Sequence, residues 1–497
     1  MTSAAAERDS PHGTALLARG LADTLGAWLA TCALPVPNGF AIVKSSTVRH
    51  VSAGELAPGL AVHFKVHRAA TLADRARDLW RGARGRVELE RLATAHARGL
   101  PCVEPLAAGR FEGPSGPRSF VLTRSVPGAV PLPRGPLDPA SAAAAGALLR
   151  AAHDAGLRAR DLHPGNVLRD RSGALLLCDL TSASFTESLE LRARAQGLAF
   201  FCQDLDGSVL DPAAAPLLAA YAASPELVRL AMQCGRRLRM RALAAFGRRA
   251  TRTCRHTREL READDVRWYF ATETAELHAA ARDAALATPP ANPVKSGRRG
   301  AVWFDGALVV KRRATAAARR LHQASYRLRF AGVAAPAPVA LRIHHGVGLV
   351  FTARVARPDL HAELQAGALD TAAQLDAARA LGRSVGRLHA HGLRNRDLKF
   401  ENLVRDPARG EVLMVDLDGV RAKSPADGRG QAADLGRLLA ALVDHRLPAQ
   451  ARVVVSFWRS YLAARRCLRS TQATDLRRRT AARARAWART HTATTVR

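Results

Sequence analysis

The chain has 497 residues, 48% hydrophobic and 24% charged, which gives enough length for two or three domains with sizeable cores and excludes a disordered or fibrous protein. Its 75 Lys and Arg against 43 Asp and Glu leave a formal net charge of +32. That charge fits an anionic partner such as nucleic acid, an anionic membrane surface or a phosphorylated glycolipid. With only six lysines and abundant alanine, it also fits the coding bias of a GC-rich genome. Seven cysteines, an odd number with no Cys-x-x-Cys spacing, read as free thiols in a reducing cytosol. The N-terminus has no apolar leader, and the apolar stretch 14–34 is interrupted by Arg19 and Asp23. The expected location is the cytoplasm, with any membrane contact peripheral and on the inner face.

In chain order, residues 1–13 read as a disordered tail. Residues 14–31 read as a helix stopped by Pro35 and Pro37. Short β-type runs follow at 40–43, 47–51 and 60–66, the last holding Lys65. A charged helix over 74–98 carries Glu88 and Glu90 and ends at Gly99-Leu100-Pro101. Residues 119–124 read as a buried strand and 140–155 as an alanine-rich helix closed by Gly156, after which helices dominate to Phe246. A basic stretch over 236–258 and a mixed segment to Leu286 lead to the proline cluster 288–293, the candidate linker.

The pattern then restarts. Val294-Lys295-Ser296-Gly297 repeats Val43-Lys44-Ser45-Ser46, and Lys311 closes a strand after the Asp305-Gly306 turn as Lys65 closes its own. Leu388-His389 precedes Gly392 as Ala152-His153 precedes Gly156. The offset shrinks from 251 for Lys44 and Lys295 to 236 for Asp161 and Asp397, as in a duplicated domain with loop deletions. The expected organisation is a tail at 1–13, a first domain at 14–250, a connecting segment and linker at 251–291, a second domain at 292–470 and a basic tail at 471–497.

The chemistry concentrates in two stretches. Asp397-Leu-Lys-Phe-Glu-Asn402 sets an acid five positions before an amide, and Asp416 follows an apolar run 14 residues after Asn402. Asp161-Leu-His-Pro-Gly-Asn166 repeats the arrangement, with Asp179 13 residues after Asn166. Phosphoryl transfer needs such a set: one Asp to orient the attacking hydroxyl, and an Asn and a later Asp to hold magnesium against nucleotide phosphates. Asp161 and Asp397 are therefore the candidate catalytic bases, and Asn166, Asp179, Asn402 and Asp416 the candidate metal ligands. A lone Asx of this kind is usually a turn or cap residue, which the doubled spacing argues against. In a chain that uses Arg so freely, lysines kept at 65, 311 and 399 point to a compact ammonium on phosphate.

These loops resemble the catalytic and metal-binding loops of the protein-kinase-like fold. Several stretches are together similar to the bacterial lipopolysaccharide kinases, the Kdo and heptose kinase families. In the first copy they are Lys65, Glu88 with Gly99-x-Pro101, Ser119-Phe-Val-Leu-Thr123, Val126-Pro-Gly-Ala-Val130, Arg160-Asp-Leu-His-Pro-Gly-Asn166 and Cys178-Asp179. In the second they are Val-Val-Lys311, Arg396-Asp-Leu-Lys-Phe-Glu-Asn402 and Val415-Asp-Leu-Asp-Gly-Val-Arg421. The resemblance covers roughly 40–225 and 292–465. It implies an α+β chain of two tandem kinase-like domains, each with a small β-rich lobe and a larger helical lobe.

The resemblance further implies that Lys65 and Lys311 hold ATP phosphates, that Glu88 pairs with Lys65 with Glu90 as the alternative, and that Lys399 is aimed at the transferred phosphate, where the first copy has His163. Gly297 and Gly300 stand for part of a nucleotide loop, replaced by Ser45, Ser46 and Thr47 in the first copy. No acid occurs between Asp305 and Asp359, so Lys311 lacks a helix partner; His322 and Gln323 lie near the expected position. The first copy, with its helix acid, is therefore the more conventional site, and the second is expected to be atypical: slower, dependent on Gln323 or a water to place Lys311, or retained to bind nucleotide and regulate. Neither copy has Asp-Phe-Gly or Ala-Pro-Glu, against an ordinary protein kinase. The implied activity is ATP- and magnesium-dependent phosphorylation of a sugar hydroxyl on an envelope glycolipid. The alternatives are a Ser/Thr protein kinase (from Lys399), a small-molecule kinase (from Asp-Leu-His-Pro-Gly-Asn) and a non-catalytic scaffold at an anionic membrane surface. A nucleic-acid partner rests on charge alone and is not expected.

Overall fold

The structure, a computed structural model, describes all residues except 1–4, 11–12, 19–20, 32–35, 47–48, 69–73, 75, 77, 79, 81, 114–115, 204–213, 288–289, 299, 424–426, 445–450, 466–469 and 493–497. Mixed α and β structure divides into two compact units, Met1–Gly235 and Arg236–Arg497.

Unit 1 begins with β1 (Ala5–Ser10), β2 (Gly13–Ala18), α1 (Ala22–Thr31), β3 (Ala41–Ser45), β4 (Arg49–Ala57), β5 (Leu60–Arg68), α2 (Arg84–Ala97), β6 (Pro105–Gly113) and β7 (Gly116–Arg124). The strands form one antiparallel sheet in the order β1-β2-β6-β7-β5-β4-β3. Strand alternation decides what each face does. Leu60, Val62, Phe64 and Val66 of β5 are buried with Leu25 and Leu29 of α1. Lys65 points to the opposite face, where Leu89 of α2 packs on Ala108 and Val121. A lysine between two buried aliphatics is thereby aimed at the helix that carries Glu88.

The rest of unit 1 comprises β8 (Val130–Pro131), α3 (Pro139–Asp154), β9 (Leu157–Ala159), a 3-10 turn at Pro164–Asn166, β10 (Val167–Arg169), β11 (Leu175–Leu177), β12 (Ala183–Phe185), α4 (Leu191–Gln203), α5 (Ala215–Ala220) and α6 (Pro225–Arg249), the last of which contains the division between the units. Asp138 caps α3 by accepting from the Ser141 N–H, with Pro139 in the first turn.

Unit 2 begins by repeating the order of strands and α-helices that unit 1 shows from β1 to β7. It contains β13 (Thr257–Arg261), β14 (Arg267–Ala271), α7 (His278–Leu286), β15 (Lys295–Gly297), β16 (Gly300–Asp305), β17 (Leu308–Ala314), α8 (Thr315–Phe330), β18 (Pro338–His344) and β19 (Val347–Ala353). Their sheet order is β13-β14-β18-β19-β17-β16-β15, the order of unit 1 strand for strand. Then come α9 (Leu360–Gln365), α10 (Thr371–Ala390), β20 (Leu393–Asn395), a 3-10 turn at Phe400–Asn402, β21 (Leu403–Asp406), β22 (Glu411–Met414), β23 (Val420–Ala422), α11 (Gly428–Asp444), α12 (Ala451–Ala464) and α13 (Ser470–Thr492).

Several boundaries differ from the expectation. Residues 5–10 and 13–18 are strands rather than a tail and the start of a helix, because β2 pairs with β6 far along the chain. The segment 251–291 is not a connector: it supplies β13, β14 and α7, and Trp268, Phe270, Ala281 and Ala284 are core residues. Thr288 and Pro289 of the expected linker lie outside the described residues. The basic C-terminal stretch is part of the second unit, since Leu476 joins the core and Thr480 is fully buried. The five described cysteines are free thiols. No described helix is long and apolar enough to cross a membrane.

Candidate functional site

In both units a short strand leaves the long helix α3 or α10, a 3-10 turn ends on the candidate Asn, and the next strand starts at once. The backbone of the turn is tied identically. Asn166 N–H donates to His163 (2.8 Å) and Cys178 N–H to Asn166 (3.0 Å); Asn402 N–H donates to Lys399 (3.1 Å) and Val415 N–H to Asn402 (3.0 Å). The Asn166 amide nitrogen donates to the Asp161 carbonyl at 3.1 Å, and that of Asn402 to the Asp397 carbonyl at 2.9 Å. With the nitrogen committed to backbone, the amide oxygen is left as an acceptor, the polarity a hard cation needs. Asp179 and Asp416 each stand one residue beyond the tied Cys178 or Val415.

In unit 1 the strand lysine finds the expected partner. Lys65 Nζ lies 2.5 Å from Glu88 Oε1 and 3.3 Å from Asp179 Oδ1. Glu90 instead pairs with Arg86 on the helix surface at 2.9 Å, which settles the choice between the two acids. Thr181 Oγ1 lies 3.1 Å from Glu88 Oε2 and 3.0 Å from Asp179 Oδ1, so its single proton is shared between the two carboxylates. Burial opposes ionisation of Glu88 and Asp179, but Lys65 more than offsets it and holds both carboxyls below their ordinary values; Arg49 adds to the effect at Asp179. Arg49 Nη1 donates to Asp179 Oδ2 at 2.6 Å, so both oxygens of that carboxylate already have cationic neighbours. Asp179 also holds a left-handed backbone (φ 58°). Asp161 accepts a hydrogen bond from the Ser182 hydroxyl.

Unit 2 solves the same problem with different residues. Glu88 lies eleven positions before the helix-ending Gly99; the residue eleven before Gly332, which ends α8, is Leu321, a core residue. Neither neighbour substitutes for the missing acid. His322 is fully buried, and Gln323 Oε1 accepts from Arg327 at 3.4 Å. Lys311 Nζ instead lies 2.9 Å from Asp416 Oδ1 and 3.6 Å from Asp418 Oδ2, with Arg313 on the same Asp418 oxygen at 2.8 Å. Asp418 occupies the place of Thr181, two after the candidate metal ligand. The second carboxylate beside the lysine has moved from the helix to the loop, which corrects the expectation that Gln323 or a water places Lys311. Burial opposes ionisation of Asp416, yet Lys311 prevails and holds it below its ordinary value. Asp416 Oδ1 also accepts from the Asp418 N–H at 3.2 Å.

The loop around Asp397 has a support that sequence reasoning missed. Asp434, on α11 and 2% exposed, accepts from Arg394 Nη2 (2.9 Å) and the Asn395 N–H (3.2 Å) and lies 3.4 Å from His389 Nε2. Asn395 Oδ1 then accepts from the Asp397 N–H at 3.0 Å. Gly419 is required here, because a Cβ would fall 2.4 Å from Asn395 Oδ1 and 2.9 Å from Asp397 N. Unit 1 has Gly197 at the matching helix position, and a Cβ there would already meet His153 Nε2 at 2.5 Å. Asp434→Ala leaves the part-exposed Arg394 with Asp427 alone and takes the acceptor from the buried Asn395 N–H, and its expected cost is about 1–3 kcal/mol of unit 2 stability, read by chemical denaturation. A loss below about 1 kcal/mol would show that the cluster is not what holds the loop.

A second expectation concerns pH. His153 is buried against the Tyr221 hydroxyl (2.8 Å), and burial pushes its imidazole down to about 4. The unfolded chain therefore takes up a proton near the ordinary imidazole value of 6.5 that the folded chain refuses until about 4. Stability contributed by neutral His153 is complete above pH about 6.5 and is lost as pH falls toward 4. His153→Gln should flatten that part of the stability profile; an unchanged slope would remove His153 as its source.

The remaining candidates are less enclosed. Gly297 and Gly300 pair across the β15–β16 turn, and Gly300 (φ 119°) faces the Arg312 carbonyl so closely that a Cβ would sit 1.9 Å from it. Thr47 lies outside the described residues, while Ser46 closes the corresponding β3–β4 turn through bonds with Arg49. Lys399 is part-exposed and 3.8 Å from Glu401. Asp397 itself accepts from Asn402 Nδ2 and Arg437 Nη1, each at 3.0 Å. No group of three His, Cys, Asp or Glu side chains forms a metal cage among the described residues. Any cation would be held by one Asn and one Asp, with its other positions left to phosphate and water, a pattern that suits magnesium better than zinc or calcium. No protein-family model matches the chain, and no curated protein matches it.

Proposed function

We propose that the protein is an ATP- and magnesium-dependent phosphotransferase with an alcohol acceptor, built as two tandem protein-kinase-like domains. The observation that carries this reading is the recurrence, in two units of identical strand order, of one constellation. A strand lysine reaches the Asp beyond an Asn whose amide is turned onto the carbonyl of an Asp five residues earlier. A structural turn explains one such Asn but not the same lysine contact twice.

The residues have the chemistry the roles require. Lys311 and Lys65 would neutralise nucleotide phosphate oxygens, and the carboxylates beside them keep each ammonium in place. Asn402 with Asp416, and Asn166 with Asp179, would hold magnesium, which when bound screens the charge of the phosphates. Asp397 would orient the acceptor hydroxyl and take its proton. Lys399, two residues on, would face the transferred phosphate. Asp416 Oδ2 has no protein partner among the described residues, whereas Asp179 Oδ2 is held by Arg49, so unit 2 is the readier metal site. The resemblance to lipopolysaccharide kinases favours a sugar hydroxyl of an envelope glycolipid at the cytoplasmic face of the membrane.

The test is magnesium-dependent ATP binding by the purified full chain, followed by transfer of labelled phosphate to glycolipid extract, peptides and small sugars in parallel. Transfer to glycolipid is the expected result; transfer only to peptide or free sugar would move the acceptor class. Neither binding nor turnover would overturn the reading and leave a scaffold.

A further inference from the structure

A cavity of about 400 Å³ opens in unit 2 beside the loop that carries Asp397. Four guanidiniums line it: Arg394 and Arg396 from the loop, Arg437 from α11 and Arg483 from α13. Two are committed. Arg394 binds Asp434 (2.9 Å) and Asp427 (3.1 Å), and Arg437 binds Asp397 (3.0 Å). The side chains of Arg396 and Arg483 have no hydrogen bond or ion pair among the described residues, although both border the same space. Gly436 lets the helices approach, since a Cβ there would meet Arg483 Cβ at 2.8 Å.

We infer that this cavity is an acceptor subsite for a molecule that already carries a phosphate or carboxylate group, bound by Arg396 and Arg483. The word acceptor rests on the phosphotransferase reading; the anion site does not. Guanidiniums present a planar fork that matches both groups and are less hydrated than ammonium, so two without partners beside one cavity favour an oxyanion. The volume suits a group of sugar size rather than a polymer. Arg437 connects the site to the chemistry because it lines the cavity and touches the Asp397 carboxylate. An anion that draws Arg437 toward itself frees Asp397 Oδ1 for the acceptor hydroxyl, and this couples occupancy to reaction.

The experiment titrates the full chain, without nucleotide, with glucose 6-phosphate in solution and separately with phosphatidylcholine vesicles containing phosphatidic acid. Each titration is repeated on Arg483→Gln, whose side chain is on α13 and has no bond to Lys311, Asn402 or Asp416 among the described residues. Binding of either probe, weakened about tenfold by Arg483→Gln, is the expected result; the probe that binds tells whether the anion is soluble or membrane-borne. Binding of neither, or binding that Arg483→Gln leaves unchanged, overturns the subsite. Magnesium-dependent ATP binding is measured on both proteins and should be equal. Its absence would count against the phosphotransferase reading while leaving the anion site to be judged on its own titration.

Discussion

Asp397→Asn is expected to lower phosphotransfer by about 10²–10⁴-fold, while Asp161→Asn lowers it far less. The two residues occupy the same place in two copies of one loop, but their surroundings differ. Asp397 sits on a loop tied through Asn395 to the buried Asp434, and its neighbour Asp416 keeps one oxygen open. The Asp161 loop has Gly197 where the other has Asp434, and Arg49 holds the open side of Asp179. Phosphoryl transfer is mostly positioning and electrostatics, so the anchored loop should be the working one. On the proposed reading, the unit with the more orthodox lysine–glutamate pair would bind or sense, and the unit without it would perform the chemistry. The measurement is turnover of both variants with ATP binding checked separately. Activity surviving in Asp397→Asn and vanishing in Asp161→Asn would reverse the assignment.

The second large effect concerns the displaced carboxylate. Asp418→Thr gives unit 2 the loop residue of unit 1 without its helix acid, leaving Lys311 with Asp416 alone. Turnover should fall by about 10²-fold, the scale of a misplaced catalytic group. Adding Leu321→Glu places a carboxylate where Glu88 stands in unit 1 and should restore a large part of the loss. Leu321→Glu alone adds a third acid near Lys311 in a buried position and should destabilise the unit. A double-mutant cycle reads the coupling directly, because additivity would mean that the two positions do not serve the same lysine. Turnover of Asp418→Thr equal to wild type would end the argument that the carboxylate moved.

Much of the site was legible because its parts are close in sequence. Asp161 to Asn166 and Asp397 to Asn402 lie within one turn and the adjoining strand, so spacing alone brings them together. Lys65 and Glu88 were legible because a strand aims alternate side chains at the covering helix. Asp434 was not legible: it is one acid in an alanine-rich helix, and its role exists only once that helix lies under the loop. Asp418 stood inside the motif but had no role until the helix position was found to be Leu321. The opening hairpins were misread for a related reason. Glu7, Arg8 and Asp9 show no apolar alternation, and their strand is specified by a partner that pairs in turn with β6. Local preference yields there to long-range pairing.

The two opening hairpins also set the smallest piece of this chain that can be handled alone. Each adds two strands beside β6 or β18, so the row of N–H and C=O groups on that side is paired rather than open. A fragment starting at residue 292, where the sequence repeat becomes obvious, would lack β13 and β14 and leave β18 with Val339, Leu341 and Ile343 beside an unprotected edge. Such an edge is a template for intermolecular pairing and insolubility. A fragment starting at Arg236 keeps the hairpin, so solubility, and not activity, is where the choice of the first residue would be felt.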